Sequence, residues 1–501
     1  MNSLRFRGIC GGSVFALAML LASCSGARRM SAMDRLQPCK ASDGLGDAFC
    51  GTFEVFENRV TKQGRKIPLR IVLLPALKQK YAPDPLFFLA GGPGQGAAAL
   101  AHDLQEPYRV VETDRDIVLV DQRGTGKSNP LECKPGESEE SSDEEDDSAS
   151  MMRRFRSCID ALKSKADLTK YTTPIAMDDL DDVRRFLGYS KIDLYGGSYG
   201  TRAALVYARR HPENTRAVIL DGVAPTDMRL PLYMARDSQR ALSLLVRDCE
   251  KDAGCNRRFP QLQARLTALL DRLSAHPQHV KYVHPRTGEE KEIDVKRLTV
   301  AGALFASLYS PMTASLVPLL IEQAEKGNYT GFFALGAAFD PLSSNMSQGM
   351  YFSVVCNEDA PRIEPGSVER EAAGTFTGAE MAGMRLKPCE FWPREPMDPA
   401  YFENAPSKIP ALILSGELDP VTPPVWGEQV ASQWKNSKHI VVPATGHGAW
   451  ASGCVMKLMV QFLNDGSAAN LNTACVQKVK RPPFFLGPAG PDPMSSPAGL
   501  Q

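Results

Sequence analysis

Apolar residues along this chain follow two rhythms. One is the short unbroken run: residues 85–89, 116–120, 191–195, 217–220 and 411–414 each have the length and continuity of a strand covered on both faces. Residues 440–443 make a final run of the same kind, while residues 53–60 and 67–75, separated by a turn at Gly64, read as an antiparallel hairpin. The other rhythm fills residues 226–405. There the buried-strand runs stop, and residues 236–249, 262–273, 300–308 and 316–325 repeat their apolar positions at helical spacing. The pattern predicts a mostly parallel eight-stranded α/β sheet with helices on both faces and a large, mainly helical insertion over the strand ends, where open sheets bind ligands.

This pattern sets the expected organisation: signal peptide 1–23, linker 24–52, first part of the core 53–225, helical cap 226–405, second part of the core 406–480, and a Pro-rich tail 481–501. Arg5 and Arg7 precede an apolar run at 14–22 that is too short to span a bilayer, which fits an export signal. Leu21-Ala22-Ser23-Cys24 resembles the lipobox of bacterial lipoproteins, in which the cysteine is diacylated. On that resemblance Cys24 carries a lipid anchor, and Ser25 after it implies an outer-membrane lipoprotein facing the periplasm. An ordinary signal peptide cleaved a few residues later is the competing reading.

Composition narrows the function more than it defines it. At 501 residues the chain can bury a large core, and 58 basic against 58 acidic residues leave no global field to draw nucleic acid. No zinc-type C-x-x-C pair occurs, so no metal site is expected. Residues 137–147 hold a run of acids among serines and read as a solvated, disordered excursion rather than a calcium loop. Ten cysteines follow Cys24, an even number that in an exported chain suggests disulfides rather than free thiols. Pairing of sequence neighbours predicts 39 with 50, 133 with 158, 249 with 255, 356 with 389, and 454 with 475.

Candidate chemistry sits in the loops that leave the strands. Gly196-Gly197-Ser198-Tyr199-Gly200 places a serine at the apex of a tight strand-to-helix turn, with glycine where side chains would collide. Asp419 follows the strand at 411–414, and His447 follows the last strand. The order serine, aspartate, histidine supplies a nucleophile, an orienting carboxylate and a base, whereas each alone would pass for a loop residue. His439 precedes the last strand and is rejected as the base. The Tyr199 and Gly92 amides are the expected oxyanion donors. Gly126-Lys127-Ser128 mimics a phosphate loop, but the first glycine it requires would fall at Asp121.

Together, Gly91 to Gly94, the Asp121 to Ser128 run, Gly196 to Gly200, Gly416 to Pro420 and Gly446 to Gly448 resemble the proline iminopeptidase and tripeptidyl aminopeptidase branch of α/β-hydrolase serine peptidases. Ser353 to Glu358 and Cys389 to Pro393 look like the tripeptidyl aminopeptidase subgroup, and Ala90 departs from the histidine of proline iminopeptidases. The resemblance implies cofactor-free hydrolysis of peptide bonds near a free N-terminus. It also implies a cap carboxylate for the substrate ammonium, for which Glu358, with Asp359 beside it, is the candidate; a structural ion pair is the equal alternative. An esterase or lipase, or a non-catalytic envelope lipoprotein, are the rival functions.

Overall fold

A computed structural model describes residues 32–133, 148–404 and 406–491. Cys24, the signal segment, the acidic run 137–147 and residues 492–501 of the tail lie outside the described residues.

Nine strands form one sheet in the order β1-β2-β3-β5-β4-β6-β7-β10-β11. They are β1 (Gln37–Pro38), β2 (Phe49–Phe56), β3 (Lys66–Leu74), β4 (Leu86–Leu89), β5 (Ile117–Val120), β6 (Ile192–Gly197), β7 (Thr215–Asp221), β10 (Ala411–Gly416) and β11 (Ser437–Val442). Apart from the two-residue β1 these are the eight expected strands. From β5 through β11 the neighbours pair in parallel, while β1, β2 and β3 are antiparallel at one edge. The fully buried stretches of β4, β5 and β10 are the continuous apolar runs, and helices cover both faces. β2 begins earlier and ends earlier than its pattern suggests. Asn58 stops it, because its side chain accepts the amides of Val60 and Thr61 at 3.1 Å each and turns the chain.

Between β7 and β10 the chain builds the insertion. It has its own apolar cluster, including Leu242, Leu266, Leu304 and Val317. The insertion is not purely helical: β8 (Gln278–Val283) and β9 (Glu290–Val295) form an exposed antiparallel hairpin. Only Val280 and Tyr282 of one strand and Ile293 and Val295 of the other are covered, so the alternation is too faint to stand out against charged residues. All five neighbour disulfides are formed, Cys39–Cys50, Cys133–Cys158, Cys249–Cys255, Cys356–Cys389 and Cys454–Cys475. No helix among the described residues is long and apolar enough to cross a membrane.

The Asp121 to Ser128 run is a structural staple. Arg123 is fully buried and grips Asp179 through Nε and Nη2 at 2.6 and 2.9 Å, while also donating to the carbonyls of Glu57 and Lys170. Asp121 accepts the amides of Ala98 and Lys127 at 2.8 and 2.9 Å. Those bonds fold the loop after β5 against the loop after β4, whose shape the candidate site needs.

Candidate active site

β6 runs into Ser198 with no intervening loop. Ser198 has φ 56° and ψ −124°, a conformation costly for a residue with a side chain. Its amide donates to the Asp221 carbonyl at 2.9 Å, and the helix Tyr199–Arg210 starts at the next residue. The flanking glycines are obligatory on steric grounds. A Cβ at Gly196 would stand 2.3 Å from the Gly200 carbonyl oxygen, and one at Gly200 would stand 2.1 Å from that of Leu89.

The loop leaving β4 passes directly over the serine, since a Cβ on Gly91 would meet Ser198 Cβ at 3.2 Å. Gly92 takes φ 108°, open in practice to glycine alone, and it lines one cavity together with Ser198 and Tyr199. The first amides of a helix lack intrahelical acceptors. The two expected oxyanion donors therefore flank the nucleophile.

β10 and β11 deliver the other two groups. His447 Nδ1 lies 2.8 Å from Asp419 Oδ2, and its ring sits over Gly222, where an added Cβ would be 3.1 Å from Cε1. Asp419 is fully buried; its Oδ1 accepts the amides of Val421 and Thr422 at 2.9 and 2.8 Å. Burial alone would raise the Asp419 carboxyl, but the facing imidazole and these amides hold it below its ordinary value. Burial would likewise lower His447, yet Asp419 outweighs it and raises the imidazole above its usual range.

Two residues of the site escape the motif reading. Thr422 Oγ1 donates to Asp419 Oδ2 at 2.7 Å and lies 3.1 Å from His447 Nδ1, so it braces the pair. Asp221, at the end of β7, accepts the amides of Ala449 and Trp450 at 2.7 and 2.9 Å and so anchors the loop that follows His447. The first was visible as a threonine three residues after an aspartate, a local turn signal. The second had no local signal, because its partners are 228 and 229 positions away.

A family model described as the alpha/beta hydrolase fold matches residues 84–279, and one described as TAP-like protein matches residues 374–475. Serine protease Hip1 of Mycobacterium tuberculosis is 27% identical over 92% of this chain and 96% of its own length. These likenesses support an α/β-hydrolase serine peptidase of the TAP-like kind. Proline iminopeptidase of Neisseria gonorrhoeae is 31% identical over 28% of this chain and 32% of its own. The solved proline iminopeptidase of Mycobacterium smegmatis overlays 83% of this chain and 98% of its own, at 16% identity and a TM-score of 0.37.

The cap acids are not where a substrate amine could reach them, which corrects the expectation for Glu358 and Asp359. Both have no exposed surface. Glu358 Oε1 accepts the Thr173 amide at 2.6 Å; Oε2 accepts the hydroxyls of Thr173 at 2.9 Å and of Tyr401, and lies 3.7 Å from Arg202 Nη1. Asp359 takes Arg202 Nη1 on both oxygens at 3.1 and 2.9 Å. A five-residue π-helical stretch, Val355–Asp359, carries both acids into this network. Thr173 Oγ1 also bonds the Tyr199 hydroxyl at 2.6 Å. The acids thus tie the cap to the nucleophile helix and contribute no surface to the cavity.

That cavity, about 160 Å³, lies between the strand ends and the cap. A larger one, about 660 Å³, opens beside Lys191, Thr215 and Pro410, at the starts of β6, β7 and β10 and away from Ser198. Chemistry rather than volume selects the smaller, because open α/β sheets act at the carboxyl ends of their strands. Cys39, Asp43 and Cys50 bring three ligand-type atoms within 4.8 Å, but two of those are the sulfurs of a disulfide.

Proposed function

We propose that this serine peptidase is an exopeptidase that removes residues or short peptides from free N-termini through an acyl-enzyme. The Asp419–His447 pair, together with a serine at a strained turn on the same strand-end side of the sheet, is the observation that carries the chemistry. His447 Nε2 takes the Ser198 hydroxyl proton as Oγ attacks the scissile carbonyl. The Tyr199 and Gly92 amides stabilise the oxyanion, which needs donors already in place when charge develops. His447 then returns the proton to the leaving amine, and water repeats the sequence to free the acyl part.

The small roofed cavity supports action at a chain end, since a folded or continuous polypeptide would not pass beneath the cap. Likeness to proteins named proline iminopeptidase supports the N-terminal end. Digestion of a peptide library, read by mass spectrometry, tests this: products shortened from the N-terminus are expected, and internal cuts alone would reject it. The apolar lining also suits an esterase, so matched aminoacyl amides and short-chain esters are the companion comparison.

We also propose export and anchoring through Cys24. The five disulfides support an oxidising compartment. Metabolic labelling with a fatty acid, lost in Cys24→Ala, is the expected result.

A further inference from the structure

Among the described residues, one charged side chain lines the cavity over Ser198, and it is a cation. Arg385, from the cap helix Glu380–Leu386, lines it with Tyr309, Tyr351 and Met234. Among the described residues its guanidinium donates only from Nη1 to Met234 Sδ at 3.0 Å, and a thioether is a weak acceptor. Among the described residues no carboxylate lies within ion-pair distance of it and no acid lines the cavity.

The buried acids described around the site are committed elsewhere. Asp419 is spent on His447, Thr422 and two amides. Glu358 and Asp359 are sealed around Arg202 and Thr173. Asp237 is buried, bonding Arg236 and the Trp426 indole, and Asp221 holds the loop after His447. Elsewhere in the protein, part-buried arginines next to the cap take acids: Arg265 pairs with Glu325, and Arg362 with Asp359. Arg229 and Arg209 are met by a hydroxyl or by carbonyls instead; Arg385 has only the thioether, and it faces the nucleophile.

A half-buried guanidinium without an anion is costly to desolvate and is a ready bidentate receptor for a planar carboxylate. We propose that Arg385 is a specificity-determining residue that binds a carboxylate of the substrate, so that acidic peptides are the favoured class. The proposal rests on the hydrolase reading of Ser198 and adds what the cavity selects. Two sources carry this chemistry, an aspartate or glutamate side chain next to the scissile bond, or the terminal carboxylate of a short peptide.

The test compares kcat/KM for peptide sets in which one Glu is exchanged for Gln at each position flanking the scissile bond, each made with a free or amidated C-terminus. The wild type is expected to favour the carboxylate form about 10–100-fold at one position, the range of a hydrogen-bonded charge pair. A preference that follows the Glu position identifies the side chain, and one that follows the free C-terminus identifies the terminal group. In Arg385→Gln the ratio should fall towards one, and in Arg385→Lys it should be partly kept. No preference in the wild type, or an unchanged ratio in Arg385→Gln, would overturn the proposal.

A second measurement needs no variant: glutarate should protect wild-type Ser198 from a fluorophosphonate label at concentrations where its monoamide does not. Equal protection by both also counts against Arg385. If no peptide is cleaved while the label still reacts, the peptidase reading fails. The Arg385 proposal is then decided on a hemisuccinate ester against a neutral ester of the same length.

Discussion

Two buried carboxylates, Asp419 and Glu358, look alike in isolation and do opposite work. Each has no exposed surface, and each accepts a backbone amide and a threonine hydroxyl. They differ in the cation opposite. Asp419 faces His447, a titratable ring that is 15% exposed. Glu358 faces Arg202, a permanent cation with no exposure at all. A buried acid paired with a group that can exchange a proton can serve a reaction, whereas one paired with a fixed charge can only hold structure. The lesson is that the partner, not the acid or its burial, separates the functional carboxylate from the structural one.

The comparison can be broken most severely at the nucleophile. Ser198→Ala is expected to lower kcat by about 10⁶ without unfolding the protein, the scale seen when a serine of a triad is removed; retention of more than a few per cent of turnover would reject the site. Asp419→Asn comes next, with a loss of about 10⁴ in kcat from the wrong imidazole tautomer. It also has a pH signature. His447 must be neutral to accept a proton, and Asp419 raises its pKa, so wild-type kcat/KM should fall as pH drops through a value above that of an ordinary imidazole. In Asp419→Asn that acid limb should move to lower pH. An unmoved limb would mean that another group controls it.

Third in size is Arg202→Met, which leaves Glu358 buried without its counter-charge and Asp359 with Arg362 alone. Breaking a buried pair from one side costs about 3–5 kcal/mol, so a large drop in Tm is expected, together with loss of activity only as the fold is lost. A variant of unchanged Tm would show that the acids do not depend on Arg202.

How far the sequence was legible follows the same division. Strand ends are positions that a one-dimensional pattern can locate, because an apolar run followed by glycine marks both the strand and its carboxyl end. Ser198, Gly92, Asp419 and His447 all sit at such ends, and the sheet brings those ends to one edge. Neighbouring cysteines were legible for a related reason: each pair closes a local loop. In the cap no repeating element fixes where a side chain points. Glu358 was visible as an acid in a motif, but its partner Arg202 is 156 positions earlier, on the helix behind Ser198, and the π-helical widening that turns Glu358 inward leaves no trace in apolar spacing. Arg385 was passed over for the mirror reason: an arginine in a helix is ordinary, and its lack of an acid becomes visible only in three dimensions.

The smallest expected effect is also the sharpest on the contrast between the two acids. Glu358→Gln keeps the shape of the side chain and still accepts from Thr173, but it removes one negative charge from beside Arg202. Because Thr173 also bonds the Tyr199 hydroxyl, the change should reach the nucleophile helix only as a slight loosening, with kcat reduced by less than about tenfold, the worth of a single neutral hydrogen bond. The loss should be equal on a free-amine peptide and on its N-acetylated form, since no substrate ammonium touches a group sealed from the cavity. A selective rise in KM for the free-amine peptide would return Glu358 to the substrate and would mean that the network opens during turnover.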